Sequence, residues 1–380
     1  MRKKGIFAVL LFFLFAALVN VRSMDQVKAN NVWTVDSGGL GDFRTVQEAV
    51  NAANDGDTVF IRSGTYHEPV SIMKQIFLIG ENPFDTIIDV QSFYPTAYAV
   101  RVEANNVTVK NLTLCNSASG AFSNGKTGGV FLYSSYGCDV ENCIVKGNNQ
   151  GITLYDSNCS NIFNNLVTEN GLGITLGAYS NGNLIRGNWV TNNSYHGWIG
   201  LGVVLGCSST NNTVTENYFF DDSLAVGVAD PCSMTASASA VVTRNDFALN
   251  STAVVIYNLG DWQPQTYISW SRNGEGNFWD GYSGGDANED GIGDAPYVIN
   301  ELNNDSFPLM KPFKWLQGDI NYDAVINILD ISTIAKAFST NSGDAGWNAK
   351  CDLNEDGAIN ILDISKAASS FGRKMNWPFP

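Results

Sequence analysis

The chain has 380 residues, 44% of them apolar and 12% aromatic, so it is not disordered and can form one large domain and a small one. A formal net charge of −15 disfavours binding to nucleic acid or to an anionic membrane surface. An acidic polysaccharide would also be repelled unless a cation bridged the two. With two histidines and no methionine cluster, the sequence offers little from which to build a copper or zinc site.

The N-terminal residues have the pattern of a secretory signal. Basic residues at positions 2–4 precede an apolar run over residues 6–19, which is short for a membrane span. We predict a signal peptide over residues 1–23, with its retention as an anchor as the alternative. No other segment is expected to enter a bilayer.

Seven cysteines in a secreted chain leave at least one without an intramolecular disulfide partner. Cys115, Cys138 and Cys159 recur at nearly equal spacing, and they are expected to stack as small core or turn residues. The alternatives are a disulfide between residues 138 and 143 or between residues 207 and 232.

A short strand and an amphipathic helix are predicted directly after the signal. Residues 32–36 read as a strand, Thr45 and Glu48 have capping-box spacing, and apolar residues from Val46 to Ala53 follow a helical period. This order resembles the start of pectate-lyase-like and pectin-esterase-like right-handed β-helices, in which such a helix covers the open end. A stack of coils exposes an apolar cross-section at each end, so a cap is also expected on physical grounds.

Between about residues 128 and 250 the sequence repeats one unit. Copies of the pattern Gly-apolar-x-Leu begin at positions 129, 151, 173 and 202, so the first two spacings are equal and the third is longer. A second series of five asparagines follows these copies along the chain: Asn142, Asn165, Asn188, Asn217 and Asn245. Short apolar–polar alternations that end in glycine or asparagine are typical of parallel strands joined by tight turns. The period predicts a mainly β solenoid in which the asparagines stack as a ladder.

Residues 276–310 depart from the repeat and begin with Gly-Asn-Phe-Trp-Asp-Gly-Tyr. They closely resemble the C-terminal cap of NosD-like β-helix proteins. The resemblance implies a right-handed parallel β-helix over residues 31–310, with its cap at 276–310. A linker is then predicted at residues 311–317 and a second domain at 318–374.

The second domain contains two copies of an acidic twelve-residue loop, which begin at Asp319 and Asp352. Oxygen-bearing side chains occupy positions 1, 3, 5, 9 and 12, and position 7 offers its carbonyl, which is the spacing with which a chain wraps Ca²⁺. The predicted ligands of the first loop are Asp319, Asn321, Asp323, Val325, Asn327 and Asp330. Those of the second loop are Asp352, Asn354, Asp356, Ala358, Asn360 and Asp363. An apolar helical stretch follows each loop, and a calcium loop with one helix, present twice, resembles a type I dockerin.

The dockerin resemblance implies a cohesin domain as the partner. Positions 10 and 11 of each loop help to select the cohesin in that family, and here they are Ile328, Leu329, Ile361 and Leu362. Because all four are apolar, they could instead be buried within the module. Position 6 of the first loop is Ala324 where glycine normally makes the sharp turn, which predicts a strained or weaker first site.

A third acidic loop lies in the predicted cap and shares the same spacing at its first five ligand positions. Its candidate Ca²⁺ ligands are Asp286, Asn288, Asp290, Ile292 and Asp294. The alternative is a solvated turn.

The one longer copy of the repeat, between the glycines at positions 173 and 202, predicts where a sugar-binding groove would lie. If the residue two after a ladder asparagine points inward, the residue one after it points outward, so Trp189 and Tyr218 would form an exposed strip. The candidate substrate-binding residues are Trp189, Tyr195, Trp198 and Tyr218, and the candidate catalytic residues are His196, Asp221 and Asp222. The alternative is an insertion loop that packs its aromatic residues against the solenoid wall. The catalytic motifs of polygalacturonases and pectin esterases are absent from the sequence.

Three functional hypotheses remain. The first is a secreted polysaccharide lyase, glycoside hydrolase or epimerase that is attached to a cohesin-bearing scaffold. The second is a non-catalytic carbohydrate-binding or structural protein attached in the same way. The third, a NosD-like accessory factor for copper-enzyme maturation, is disfavoured by the shortage of histidine and methionine and by the dockerin.

Overall fold

Three parallel β-sheets, formed by successive coils of the chain, make up most of the molecule in the computed structural model. The structure describes residues 30–91, 98–117, 127–194, 200–206, 208–220, 222, 224–229, 238–248, 254–257, 266–301, 303–313, 316–321, 325–354 and 356–374. Neighbouring coils pair in register, as in the pairing of Val167 with Val190 and of Ile152 with Ile174. The fold is the predicted right-handed parallel β-helix with a small helical domain after it.

The strands are numbered β1–β31 along the described chain. Sheet A contains β1 Val32–Val35, β2 Thr58–Ile61, β5 Phe77–Gly80, β8 Thr108–Lys110, β11 Asp139–Glu141, β14 Asn161–Phe163, β17 Leu184–Arg186, β20 Asn212–Thr215, β23 Ala238–Thr243 and β26 Thr266–Ser269. Sheet B contains β3 Gly64–Tyr66, β6 Thr86–Asp89, β9 Thr113–Cys115, β12 Ile144–Lys146, β15 Leu166–Thr168, β18 Trp189–Thr191, β21 Tyr218–Phe220, β24 Asp246–Ala248 and β27 Phe278–Trp279. Sheet C contains β4 Val70–Ile72, β7 Tyr98–Val102, β10 Gly128–Tyr133, β13 Gln150–Tyr155, β16 Leu172–Leu176, β19 Leu201–Gly206, β22 Leu224–Ala229 and β25 Val254–Tyr257.

Columns of inward side chains, one from each coil, fill the centre of the solenoid. In sheet B one column runs through Val145, Val167, Val190, Phe219 and Phe247, all buried. Its aromatic members stack, with 5.1 Å between the ring centroids of residues 219 and 247. Because side chains alternate between the two faces of a strand, every second residue of these short strands enters the core.

An asparagine ladder closes the tight turns between sheets A and B. Each asparagine donates its backbone N–H and its Nδ2 to the side-chain oxygen of the asparagine on the next coil; Asn165, for example, donates both to Asn188 at 3.0 Å. The ladder continues through Asn217, Asn245 and Asn277. Because each buried amide satisfies its neighbours, a polar column is tolerated inside the wall. The predicted ladder is therefore present.

The first member of the predicted ladder is wrong by one residue. Cys143 occupies the ladder position and donates its backbone N–H to Asn165 Oδ1 at 2.9 Å. Asn142 instead has a positive φ of 51° in the turn, a conformation that asparagine adopts more readily than most residues. Cys143 therefore points into the wall rather than outward, and Val145, not Ile144, enters the core.

A helix covers the N-terminal end of the solenoid, as predicted. Helix α1 spans Val46–Ala52, and Thr45 Oγ1 accepts the Glu48 N–H at 3.3 Å. Two other N–H groups of the first turn, those of Val46 and Gln47, donate to the carboxylate of Glu68 at 2.7 and 3.0 Å. A carboxylate is stabilised at this position because it satisfies donors that have no partner within the helix.

The C-terminal end of the solenoid closes on a buried carboxylate. Strands β28 Tyr297–Asn300 and β29 Asn303–Asp305 form an antiparallel pair. Asp305 Oδ2 accepts hydrogen bonds from the backbone N–H and the Nδ2 of Asn277, the last ladder asparagine, and from the indole N–H of Trp279 at 2.9 Å. Its Oδ1 accepts the Phe307 N–H. Burial raises the pKa of this carboxyl above its usual range, against the opposing effect of these donors.

The small C-terminal domain contains two similar helices. Helix α2 spans Ile328–Lys336, helix α3 spans Ile361–Ser369, and a 3₁₀ turn covers Ala349–Cys351. Strands β30 Thr340–Asn341 and β31 Ala358–Ile359 pair in an antiparallel manner. The equivalent positions Ile334 and Ala367 are both buried in one apolar cluster with Ile359, so the two repeats share a core.

The predicted linker makes contacts with the last coils. The Phe313 N–H donates to Asp246 Oδ1 at 2.5 Å, and the Arg244 guanidinium lies 4.5 Å from the Phe313 ring centroid. Beyond it, Lys350 Nζ of the small domain lies 3.5 Å from Asp280 Oδ1. One ion pair therefore joins the small domain to the last coil of the solenoid.

The described cysteines are free thiols. Cys115, Cys138, Cys143 and Cys351 are buried and Cys159 is exposed, so the considered 138–143 disulfide is wrong. The expected stack of residues 115, 138 and 159 is also wrong, because Cys115 pairs in register with Lys146 and the Cys138 N–H donates to Ser160 Oγ. Burial raises the pKa of Cys143 to about 12. The considered 207–232 disulfide lies outside the described residues.

Among the described residues, no helix is long and apolar enough to cross a membrane. The predicted signal peptide lies outside the described residues.

Candidate functional site

The aromatic pair predicted as an exposed strip is covered. Trp189 and Tyr218 do face outward on adjacent coils, in register and with ring centroids 5.3 Å apart. They are only 9% and 2% exposed, because they form an apolar cluster with Ile144, Ala248 and Phe278 on the outer face of sheet B. The expectation that these two rings are exposed is therefore wrong.

Asp222 is the last described member of a second ladder inside the wall. Asn148, Asn170 and Asn193 lie on successive coils, and each donates to the next. Asp222 Oδ1 then accepts the Asn193 N–H at 2.8 Å and its Nδ2 at 3.0 Å. The carboxylate is buried, so the structure gives it the place of a ladder residue. The other groove candidates, Tyr195, His196, Trp198 and Asp221, lie outside the described residues.

The second acidic loop of the small domain is folded around its own side-chain oxygens. Asp352 Oδ2 accepts the Gly357 N–H at 2.9 Å, and Asp356 Oδ1 accepts the Ala358 N–H at 2.9 Å. Asn354 Nδ2 donates to Asp356 Oδ2 at 2.8 Å. Gly357 has a φ of 80°, so the sharp turn at position 6 is made by the residue type that tolerates it. Oxygen atoms from positions 1, 3 and 5 are thus held within one small loop.

The position-12 aspartates fasten each loop to its helix in the same way. Asp330 accepts the N–H groups of loop positions 2, 3 and 9 at 2.7, 3.2 and 2.8 Å. Asp363 accepts the same three groups in the second loop at 2.8, 3.3 and 2.8 Å. The corresponding distances are nearly equal, which shows that the sequence repeat is also a structural repeat.

The position-9 asparagines have a role that the sequence analysis missed. Asn327 and Asn360 are the N-caps of α2 and α3, and each accepts the N–H two residues on at 2.8 Å. The pattern Asn-x-x-Asp before an apolar helix is the signal that could have revealed them. In the first loop, Asp323 and Ala324 lie outside the described residues.

The cap loop repeats the geometry of the second dockerin loop. Asp286 Oδ2 accepts the Gly291 N–H at 2.9 Å, and Asp290 Oδ1 accepts the Ile292 N–H at 2.8 Å. Asn288 Nδ2 donates to Asp290 Oδ2 at 3.0 Å. Asp294 Oδ2 accepts the N–H of loop position 2 at 2.8 Å, which is the bond that position 12 makes in the dockerin. A shorter loop therefore has the same wrapped form.

The four residues expected to contact a partner are exposed. Ile328 and Leu329 are 64% and 56% exposed, and Ile361 and Leu362 are 61% and 57% exposed. The alternative that they are buried within the module is therefore wrong. Each repeat also exposes a phenylalanine near the end of its helix, at positions 338 and 371, so the same apolar set appears twice.

Comparison with protein-family models gives two matches. The family described as "Periplasmic copper-binding protein (NosD)" matches residues 50–284, and the type I dockerin domain matches residues 317–366. Comparison with curated proteins gives no match.

Solved parallel β-helix structures resemble the fold at low identity. A pectin methylesterase from carrot is 15% identical, with a TM-score of 0.44, over 66% of this chain and 87% of its own. The catalytic domain of a GH87 α-1,3-glucanase in complex with nigerose is 15% identical, with a TM-score of 0.46, over 67% of this chain and 47% of its own. The A-module of the Azotobacter vinelandii mannuronan C-5 epimerase AlgE6 is 15% identical, with a TM-score of 0.41, over 61% of this chain and 70% of its own.

The described residues do not fit a copper site. Copper is held by histidine, cysteine and methionine, and the described part of the chain has one histidine, His67, and thiols that are buried except for Cys159. Within the same residues, the acidic loops included, no three histidine, cysteine, aspartate or glutamate side chains converge as a metal-ligating cluster, so an ion in those loops would also need amide and carbonyl oxygens. We therefore assign no copper chemistry to the described residues.

The NosD family model covers more than half of the chain, and the region that it matches is the parallel β-helix described above. The chain belongs to the NosD family and has a type I dockerin domain after its β-helix.

Proposed function

We propose that this protein is a secreted or cell-surface, carbohydrate-directed β-helix that is held by its dockerin to a cohesin domain of another protein. The observation that carries the proposal is the duplicated, exposed apolar pair at positions 10 and 11 of both loops. Apolar side chains that are more than half exposed cost free energy in an isolated domain, and such patches mark interaction sites. The match to the type I dockerin domain supports a cohesin domain as the partner.

Calcium is proposed to hold both dockerin loops in the shape that presents this surface. The ligands would be Asp319, Asn321, Asp323, Val325, Asn327 and Asp330 in the first loop. In the second loop they would be Asp352, Asn354, Asp356, Ala358, Asn360 and Asp363. This donor set consists of carboxylate, amide and carbonyl oxygens, which suits a hard cation such as Ca²⁺. The position-9 oxygens already cap the helices, so they would reach the ion through water, as is common at that position.

The cap loop is proposed as a third Ca²⁺ site, with Asp286, Asn288, Asp290, Ile292 and Asp294 as its ligands. Its support is the agreement with the second dockerin loop, bond for bond and with nearly equal distances. Because the loop precedes β28, an ion there would brace the end of the solenoid rather than the partner surface.

We propose a binding role towards carbohydrate rather than turnover. Asp222, the one described catalytic candidate, accepts two hydrogen bonds of the second ladder through its Oδ1. An enzyme would need His196 and Asp221, which remain candidates from the sequence. Incubation with neutral and acidic plant polysaccharides in Ca²⁺, with detection of reducing ends and unsaturated products, distinguishes the two roles; product release that is abolished in His196→Ala would establish an enzyme.

The attachment is tested by calorimetric titration with a panel of purified type I cohesin domains. We expect binding in Ca²⁺ and its loss in EDTA. The variant Leu329→Asp/Leu362→Asp should bind at least about 100-fold more weakly, because charged residues would replace both copies of the apolar anchor. Val298→Asp, at an exposed apolar residue of the solenoid cap, is the matched control and should bind like the wild type. Equal affinity of the double variant and the wild type would overturn the assignment of this surface.

A further inference from the structure

The outer face of sheet C exposes tyrosines on two adjacent coils. Tyr133 ends β10 and Tyr155 ends β13, and the two residues pair in register. They are 37% and 45% exposed, and their ring centroids lie 5.8 Å apart with an interplanar angle of 21°. This spacing is close to the length of one sugar unit in an extended polysaccharide. Both residues belong to the repeat pattern, which did not distinguish them from its other members.

The tyrosines continue an aromatic row along the same face. Phe131 stacks on Tyr98 with ring centroids 4.6 Å apart, and it lies 5.6 Å from Tyr133. We call Tyr98, Phe131, Tyr133 and Tyr155 the aromatic row. Its members come from three successive coils, so the row follows the long axis of the solenoid. A row in this direction suits an extended polymer better than a compact ligand.

A single guanidinium is fixed beside the row. Arg101 lies 5.4 Å from the ring centroids of both Phe131 and Tyr133, and it forms an ion pair with Glu103. The pair leaves no net charge at this point of the surface, while its N–H groups and carboxylate oxygens can bond hydroxyl groups. The rim is also polar, because Thr153 donates to Gln150 at 2.8 Å and Ser134 donates to Asp156 at 3.0 Å.

Stacking alone does not account for the exposure. Aromatic ladders stabilise a solenoid when they are buried, as in the core column of Phe219 and Phe247. On sheet B, the outward rings of Trp189 and Tyr218 are covered by their neighbours. The end of the aromatic row on sheet C is left in water, which is the arrangement expected where apolar ring surface and a phenolic hydroxyl meet a ligand that has both apolar and polar faces.

We infer that the aromatic row and Arg101 bind an extended, uncharged polysaccharide along the outer face of sheet C. The inference rests on the proposed carbohydrate-directed function and names its surface and its ligand class. Sugar rings carry C–H groups that pack against aromatic rings and hydroxyls that pair with the polar rim. A neutral chain is favoured over an acidic one because the local ion pair is balanced and the whole protein has a net charge of −15.

The test is electrophoresis of the full chain in native gels that contain glucomannan, xyloglucan or mixed-linkage β-glucan, with polygalacturonate and alginate in Ca²⁺ as the acidic arms. We expect retardation in at least one neutral gel. Tyr133→Ala/Tyr155→Ala should weaken that binding by at least about tenfold, and Tyr133→Phe/Tyr155→Phe should keep it within about threefold. Phe84→Ala, at an exposed aromatic residue in the turn before β6 of sheet B, is the matched control and should not change it.

The outcomes separate the inference from the proposed function. A wild-type protein that binds none of the five polysaccharides would refute the carbohydrate-directed function and the inference with it. Wild-type binding that the Ala pair leaves unchanged would overturn only the assignment to sheet C, and retardation in the acidic gels alone would overturn the choice of ligand class. Tyr155→Ala alone, at the more exposed end of the row, distinguishes lost contact from lost folding, because its melting temperature should stay close to that of the wild type while binding falls.

Discussion

Replacing one ladder asparagine tests how the solenoid wall is held together. Asn188 is fully buried and lies in the middle of the ladder. Its Oδ1 accepts the backbone N–H and the Nδ2 of Asn165, both at 3.0 Å, and its Nδ2 donates to Ile162 O at 2.8 Å and to Asn217 Oδ1 at 2.9 Å. The substitution Asn188→Ala removes all four of these bonds. It leaves the neighbouring coils otherwise intact.

The expected cost follows from the groups that lose a partner. The Asn165 N–H loses its acceptor and Ile162 O loses a donor, while Asn165 Nδ2 keeps its bond to Val140 O and Asn217 Oδ1 keeps the Asn188 N–H. A buried polar group without a partner costs about 1–3 kcal/mol. This cost applies to the Asn165 N–H alone, because Ile162 O lies in β14 and keeps the sheet bond that its register with β17 provides. That is a large part of the net stability of a typical domain.

The assay is urea unfolding followed by tryptophan fluorescence and circular dichroism. Asn188→Ala should lower the midpoint strongly, and Asn164→Gly is the matched control. Asn164 is an exposed asparagine of a turn on an adjacent coil with a φ of 54°, which glycine adopts without strain, so its substitution should change the free energy of unfolding by less than about 1 kcal/mol. Equal midpoints for the two variants would refute the reasoning that the ladder bonds stabilise the wall.

Three further outcomes are expected. Burial raises the pKa of Asp305, so the folded protein holds the proton of this carboxyl more tightly than the unfolded chain does. The stability of the wild type should therefore fall relative to Asp305→Asn as pH rises from about 4 towards the raised pKa. Urea midpoints at several pH values check this, and parallel curves for the two proteins would contradict it. Iodoacetamide at pH 8 should label the exposed Cys159 in the native protein. Cys143, whose pKa burial raises to about 12, should be labelled only in denaturant. Mass spectrometry measures both, and equal labelling of the two thiols in the native protein would contradict this. In calorimetry, EDTA should lower the melting temperatures of both the cap and the dockerin. Asp290→Ala should abolish the effect of EDTA on the cap alone, and Asp356→Ala its effect on the dockerin alone. An unchanged wild-type profile would count against calcium at either place.

The period of the repeat was enough to predict the solenoid, because one coil must place equivalent residues above one another. It was not enough to fix the register of every coil. Asn142 and Cys143 are neighbours, and an asparagine with positive φ in a turn looks the same in sequence as one inside a ladder. Only the hydrogen bond from the Cys143 N–H to Asn165 decides between them.

Whether an outward side chain of the solenoid is exposed to solvent was harder to predict than whether it points outward. The alternation of the strands correctly placed Trp189 and Tyr218 outward, but whether they meet water depends on distant residues such as Phe278 and Leu309, which pack over the same face. By contrast, Tyr133 and Tyr155 lie at the ends of their strands, and both side chains are exposed. Neither the burial of the first pair nor the exposure of the second can be read from the sequence, because the residues that cover an outward side chain come from other coils and from the cap.

The repeated form of the dockerin loops was predictable because their spacing is confined to twelve residues, while their Ca²⁺ ligands stay a prediction. The seating of the dockerin was not predictable, because it depends on contacts between residues far apart in sequence. The Phe313 N–H donates to Asp246 Oδ1, and Lys350 Nζ lies 3.5 Å from Asp280 Oδ1. Leu329 and Leu362 remain exposed in this arrangement. The surface proposed for the cohesin is therefore not covered by these contacts.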